Sequence, residues 1–172
     1  DEIVNGVWTI CEESYWGVPA HLNLQNSGPG LPDTAERTVD LFVAETFNLL
    51  AWTTYLIGDK FDEISPLVRP RIALEIDERG LTPLEKRPNF GWMGFTIDRP
   101  TSSGKPSQRR VNNWNPWIVS NWLSALLLVE PDPDRRARCF YKALRTVDNF
   151  IDPYPADSGC DEGPSYWGRA GA

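Results

Sequence analysis

The sequence predicts an all-α fold, and three observations carry that expectation. Apolar residues recur at helical spacing in successive stretches. Proline and glycine cluster between those stretches and only rarely interrupt them. At 172 residues and 41% apolar content the chain is long enough for one domain with a core of its own.

The first stretch, residues 2–14, places Ile3, Val4, Val7, Trp8, Ile10 and Cys11 on one face, with Gly6 its single breaker. From Trp16 to Pro32 the chain holds Pro19, Pro29, Gly28 and Gly30 among Asn, Ser and Gln residues, which predicts a long irregular loop. Asp33 or Thr34 can cap a second helix, whose stripe runs Val39, Phe42, Val43, Thr46, Phe47, Leu50 and Thr54 and which Gly58 ends. Phe61 to Glu78 repeats the pattern, with Pro66 and Pro70 delaying or kinking its start and Arg79-Gly80 closing it. Pro83, Pro88, Pro100 and Pro106 then mark a surface excursion from Leu81 to Arg110. Within it, Phe90 to Phe95 either folds back toward a cleft or plugs a helix pair. A fourth helix covers Trp117 to Val129, and Pro131-Asp132-Pro133-Asp134 breaks it and caps a fifth with the stripe Ala137, Phe140, Tyr141, Leu144, Val147 and Ile151. Pro153 and Pro155 end the fifth, and Gly163-Pro164-Ser165 opens a sixth. The abrupt first and last helices lead us to expect a fragment of a longer protein.

Composition narrows the function classes. The formal charge of −7, from 24 acidic and 17 basic residues, argues against a nucleic-acid partner, which requires a basic face. The richest apolar run, Trp117 to Val129, is broken by Ser120, Asn121 and Ser124 and is too short to span a bilayer. Cys11, Cys139 and Cys160 lack the paired spacing of zinc or dithiol sites and read as buried thiols. No metal constellation or cofactor motif is present, so no cofactor is expected.

Two clusters carry chemistry. Gly159 to Arg169 gathers Asp161, Glu162, Tyr166, Trp167 and Arg169 inside a glycine-bracketed turn, a mixture poor for a core and suited to sugar hydroxyls. Val111 to Trp122 sets Asn112, Asn113, Asn115 and Asn121 beside Trp114, Trp117 and Trp122, and indole faces suit the apolar faces of pyranose rings. Lys105, Arg109 and Arg110, just ahead of the amide cluster, can supply a positive pocket for an anion, although a charge run in a loop is more often simply solvated.

Together the two clusters, with Trp16-Gly17-Val18-Pro19-Ala20-His21, resemble the heparinase II/III-like polysaccharide lyases, most strongly over residues 111–172. The order agrees, since the interval between Asn113 and Tyr166 has room for two helices and a loop. The resemblance implies part of an α/α toroid of antiparallel helix pairs, with further toroid helices and a C-terminal β-sandwich domain elsewhere in the protein. It also implies an acidic polysaccharide or oligosaccharide partner, cleavage of a uronate by β-elimination, and a periplasmic or secreted location.

Carried over residue by residue, Asn113 takes the place of the carboxylate-neutralising amide, with Asn112 sharing that role, and Tyr166 that of the acid. Trp114 stands where some relatives have a histidine, so the base stays open between two catalytic candidates: Tyr166 acting as base as well as acid, and His21, the chain's single imidazole, whose loop resembles the family's first cleft loop. Trp16, Trp114 and Trp167 are the better ring platforms, Trp117 and Arg110 further binding candidates, and Trp122 a core residue. Glu162 is expected to orient Arg169 or a sugar hydroxyl. Each residue also has a plain structural reading: a helix cap for Asn113, inter-helix packing for Tyr166, a structural hydrogen bond for His21. Two other readings stand beside the lyase. One is a glycoside hydrolase on the same toroid, which pairs Asp161 with Asp148, Asp152 or Asp157 because the adjacent side chains of Asp161 and Glu162 point apart. The other is a non-catalytic glycan-binding module.

Overall fold

A computed structural model describes residues 1–95, 111–157, 159 and 162–166. Among these the chain is all-helical, with α1 over Glu2–Glu12, α2 over Leu41–Ile64, α3 over Val68–Ile76, α4 over Thr82–Lys86, α5 over Trp114–Val129 and α6 over Pro133–Ile151. Short 3₁₀ turns cover Pro19–Leu24 and Gly91–Met93. A π-helical turn, Asp77–Leu81, welds α3 to α4. Helices α2 and α5 form the centre, α6 lies on α5, α3 on α2, and α1 on α3. No helix among the described residues is long and apolar enough to cross a membrane.

The core lies where these helices meet, with Val43, Phe47, Leu50, Ala51, Ile118, Trp122, Ala125 and Leu126 all buried. Burying a side chain of Leu or Phe size contributes roughly 1.5–3 kcal/mol, so the α2–α5 seam outweighs any local propensity. Polar pairs set its register: Asn48 Nδ2 donates to Asn121 Oδ1 at 2.7 Å, Trp52 Nε1 to Ser124 Oγ at 2.8 Å and Trp117 Nε1 to Glu45 Oε1 at 2.9 Å.

Several helix boundaries differ from those read in the sequence. Helix α2 starts at Leu41, because Asp40 and not Asp33 or Thr34 accepts the capping hydrogen bond from Val43 N (2.9 Å). Asp33 instead caps a local turn, accepting from Ala35 N at 2.9 Å. Gly58 does not end α2, which bends at Ile57 (φ −135°, ψ 17°) and runs on to Ile64. Arg79-Gly80 does not end the next helix either: the π turn absorbs Gly80 and α4 continues to Lys86, so residues 81–86 belong to a helix and not to a surface excursion. Phe90, Trp92 and Met93 are buried, the plug alternative. On α6 the face against the core is Cys139, Ala143, Thr146 and Val147, while Phe140, Tyr141, Leu144 and Ile151 of the expected stripe are exposed. The expected start of a sixth helix is a turn over the described residues, and the rest of that expectation falls on residues outside them.

Charged side chains tie the helices together. Arg135 of α6 meets Asp77 (2.6 Å), Glu85 (2.7 Å) and Glu130 (2.8 Å) and donates to Thr82 Oγ1 at 2.9 Å. Burial lowers the guanidinium's pKa, but the hydrogen bonds from Glu85 and Asp77 and the carboxylate charges outweigh it, and the net shift is upward. Lys142 Nζ donates to the carbonyls of Leu84 (2.6 Å), Glu85 (3.2 Å) and Arg87 (2.5 Å), satisfying the orphan acceptors at the end of α4.

Two stability consequences follow. A Cβ at Gly80 would sit 2.6 Å from the ring of Phe47, which is fully buried and cannot withdraw. Overpacking costs about 1–3 kcal/mol, against roughly 1 kcal/mol gained from replacing a helical glycine. Gly80→Ala is therefore expected to lower the thermal midpoint by several degrees in calorimetry, where the propensity gain alone would raise it. The thiol of Cys139 is pushed up to about 11, by burial first and then by Glu85, and burial also raises Cys11. In the folded protein at pH 8 both should resist iodoacetamide in a mass-spectrometric labelling assay and react once guanidinium is added.

Candidate functional site

The loop after α1 is fixed from the opposite side by arginines. Arg79 ion-pairs with Glu75 (2.5 Å) and donates to the carbonyls of Glu13 and Cys11, and Arg71 pairs with the same Glu75 (2.7 Å) and donates to Cys11 O at 2.9 Å. The carbonyls left open at the end of α1 are thereby satisfied by side chains. Trp16 drops into this junction, its Nε1 donating to Ile10 O at 2.7 Å and its ring lying 4.6 Å beneath the Arg79 guanidinium. At 8% exposure Trp16 belongs to the core and not to a cavity wall, which corrects its expected role as an open ring platform.

Beyond Trp16 the chain passes close to the start of α2. A Cβ at Gly17 would meet Tyr15 Oη at 2.4 Å and Asp40 Oδ2 at 3.0 Å, so only glycine allows this approach without displacing Tyr15. Val18 N donates to Asp40 Oδ2 at 3.4 Å, and Pro19 opens the 3₁₀ turn that carries His21. His21 Nδ1 lies 2.6 Å from Asp40 Oδ2, with the carboxylate fully buried and the imidazole 19% exposed. The His21 ring stands edge-on to Trp114 at 4.3 Å and is roughly parallel to Phe42 at 6.0 Å. Residues distant in sequence thus form one aromatic and acid–imidazole group.

Trp114 is also a wall of a cavity of about 570 Å³, lined further by Asn23, Gln25, Asn26, Arg87, Trp92 and Asn112. That volume is in the range of small-molecule sites, and its mixture of amides and indoles is suited to a hydroxyl-rich ligand. Two lining groups are already engaged. Gln25 Nε2 donates to Gly28 O (2.7 Å) and Leu31 O (2.9 Å), and Arg87 pairs with Glu36 (3.0 Å) and donates to Leu24 O at 2.7 Å.

Helix α5 begins at this cavity, and its asparagines do different things. Asn112 Oδ1 accepts from Trp114 N at 3.3 Å and Asn112 O accepts from Asn115 N at 3.1 Å, so Asn112 closes the helix start. Asn113 holds the cap position that the plain structural reading gave it, but without a side-chain cap bond. Asn115 is fully buried and its Nδ2 donates to Trp92 O (3.1 Å) and Thr146 O (2.8 Å), tying the aromatic plug and α6 to α5. Sequence reading missed Asn115 as a structural bolt, and also Asp40, whose only signal was an acidic residue just before an apolar run.

The two chemistry-bearing clusters meet. Asn113 N donates to Glu162 Oε1 at 2.9 Å, so the carboxylate from the C-terminal turn lies on the positive end of α5. The expectation that Glu162 orients Arg169 falls outside the described residues; within them, Glu162 accepts from the backbone of Asn113. Tyr166 closes the same turn through its N–H to Gly163 O (3.0 Å) and leaves its ring 47% exposed. Trp117 points its indole N–H at Glu45 and is partly buried. Trp122 is wholly buried, as expected. Lys105, Arg109, Arg110, Cys160, Asp161, Trp167 and Arg169 lie outside the described residues. Among the described residues no group of three or more His, Cys, Asp or Glu side chains is placed to hold a metal ion.

Fold and site together define an all-helical protein with an amide- and indole-lined cavity beside an Asp–His pair. Compared with known proteins, the chain matches no family model and no curated sequence significantly. The junction between the clusters can be tested directly. Glu162→Ala should abolish the hydrogen-exchange protection of the Asn113 amide and cost about 1 kcal/mol of stability, the usual value of a helix-terminal acceptor. Unchanged exchange at Asn113 would show that another group holds the turn.

Proposed function

We propose that this chain is part of the catalytic module of a heparinase II/III-like lyase, an α/α toroid that cleaves a uronate-containing acidic polysaccharide by β-elimination. The observation that carries the reading is the hydrogen bond from Asn113 N to Glu162 Oε1, because it joins the tyrosine-bearing turn to the amide-bearing turn, whose Asn112 and Trp114 line the cavity. Short connections between α2 and α3 and between α5 and α6 support the toroid.

In such a reaction a base removes the proton from C5 of the uronate. The C–H electron pair becomes the C4=C5 double bond, the C4–O4 bond breaks, and O4 leaves with a proton from an acid. The carboxylate on C5 gathers charge as this proceeds, so fixed donors near it lower the barrier. The first turn of α5 has no backbone donor to spare for the carboxylate, because the N–H groups of Asn113, Trp114 and Asn115 are bonded to Glu162 and Asn112, and Pro116 has none. Neutralisation therefore falls to the side-chain amides of this turn, Asn112 on the cavity wall first and the buried Asn113 (8% exposed) second. Trp114 offers a ring face to a sugar, Tyr166 with its exposed ring supplies the acid, and His21 beside Trp114 is the base.

The test follows ultraviolet absorbance of the 4,5-unsaturated product from heparan sulfate, heparin, chondroitin, alginate and ulvan. One polymer should give the chromophore, and Tyr166→Phe and Asn113→Ala should each reduce kcat by at least about 10²-fold, the scale of a lost proton-transfer or charge-stabilising group. Reducing ends without the chromophore would replace elimination by hydrolysis through the carboxylates around Asp161. Glycan binding without either product would make the chain a binding module.

A further inference from the structure

Asp40 is a buried carboxylate that the lyase reading does not use, and its bonding pattern controls the imidazole. Oδ1 accepts from Val43 N at 2.9 Å, and Oδ2 accepts from Val18 N at 3.4 Å while lying 2.6 Å from His21 Nδ1. Both oxygens thus face donors. A carboxylate placed this way is an acceptor, so the proton in the short contact belongs to Nδ1.

We propose that Asp40 is the positioning residue that holds His21 as its Nδ1–H tautomer, leaving Nε2 as the nitrogen that takes the C5 proton in the elimination. The inference rests on the lyase reading. In the step, the proton passes from C5 to Nε2 and the C–H pair forms the C4=C5 bond. The C4–O4 pair leaves on O4, which receives the Tyr166 proton, and solvent then restores both side chains. The imidazole becomes a cation as it accepts, and the fully buried Asp40 carboxylate is the charge that offsets it.

The surroundings favour a tuned group over a simple loop anchor. Val18 N already ties the loop to Asp40, at 3.4 Å, so the imidazole is not the loop's sole hold on the carboxylate. The ring is confined by Trp114 and Phe42 yet keeps 19% of its side-chain surface open, beside the cavity that Trp114 lines. Tyr15, which also approaches Asp40, is pushed up by burial and then by the Asp40 charge, and stays a neutral phenol at pH 7.

His21 is the only histidine, so its imidazole ¹⁵N signals identify themselves. Wild-type protein with its imidazole neutral should show a protonated Nδ1 and a bare Nε2. Asp40→Asn keeps an N-cap residue of equal quality, and Asp40→Ser does the same should the first variant fold poorly. Either should shift the proton toward Nε2 and lower kcat by at least about 10²-fold while KM stays within about threefold. A wild-type spectrum with Nε2 protonated overturns the proposal, as does a variant whose tautomer changes while its kcat does not. Wild-type protein that turns over no polymer sinks the lyase reading and the proton-transfer role with it, and the spectra then decide the positioning alone.

Discussion

The buried carboxylate of Asp40 is the constraint on which the site end of this fold depends. An ionised group with no exposed surface loses several kcal/mol of hydration, and it persists only when donors converge on it. Here they come from two directions, the first turn of α2 and the loop that follows α1. Satisfying one charge therefore fixes the angle at which that loop crosses α2. It also explains why Gly17 stands where it does, since any side chain there would displace Tyr15 beside the carboxylate.

The same loop is held from behind by a second buried polar group. Glu75 is shared by Arg71 and Arg79, and both arginines spend their remaining donors on carbonyls at the end of α1. Removing one partner of such a group leaves an uncompensated charge, so it behaves as a unit. The loop that leads to His21 is consequently held from its far side as well. Arg135 and Lys142 play the corresponding part at the other end, fixing α4 and the turn after it against α6.

Three asparagines at the start of α5 show how little residue type decides alone. Asn112 closes the helix, Asn115 is buried as a bolt between the aromatic plug and α6, and Asn113 between them keeps its side chain out of the cap. Their fates follow from helical direction. Asn115 points to the interior, where only a donor matched to two carbonyls is tolerated, whereas Asn112 lies outside the helix and answers to its first N–H groups.

Residue order was enough to foretell the helical class, the existence of α1, α5 and α6, and the burial of Trp122 and of Cys11 and Cys139. Those features are local: periodicity, proline at 131 and 133, and residue chemistry are visible without a partner. Packing in three dimensions was needed to place Gly58 and Gly80 within helical segments, because neighbours above and below them supply the contacts that glycine lacks. The same holds for α6, which buries Cys139, Ala143 and Thr146 and leaves Phe140 and Tyr141 exposed, since the close approach to α5 admits small side chains. It holds too for the meetings of Asp40 with His21 and of Glu162 with Asn113, contacts between segments far apart in the chain, for which no local pattern exists because their energy comes from burial and convergence in space.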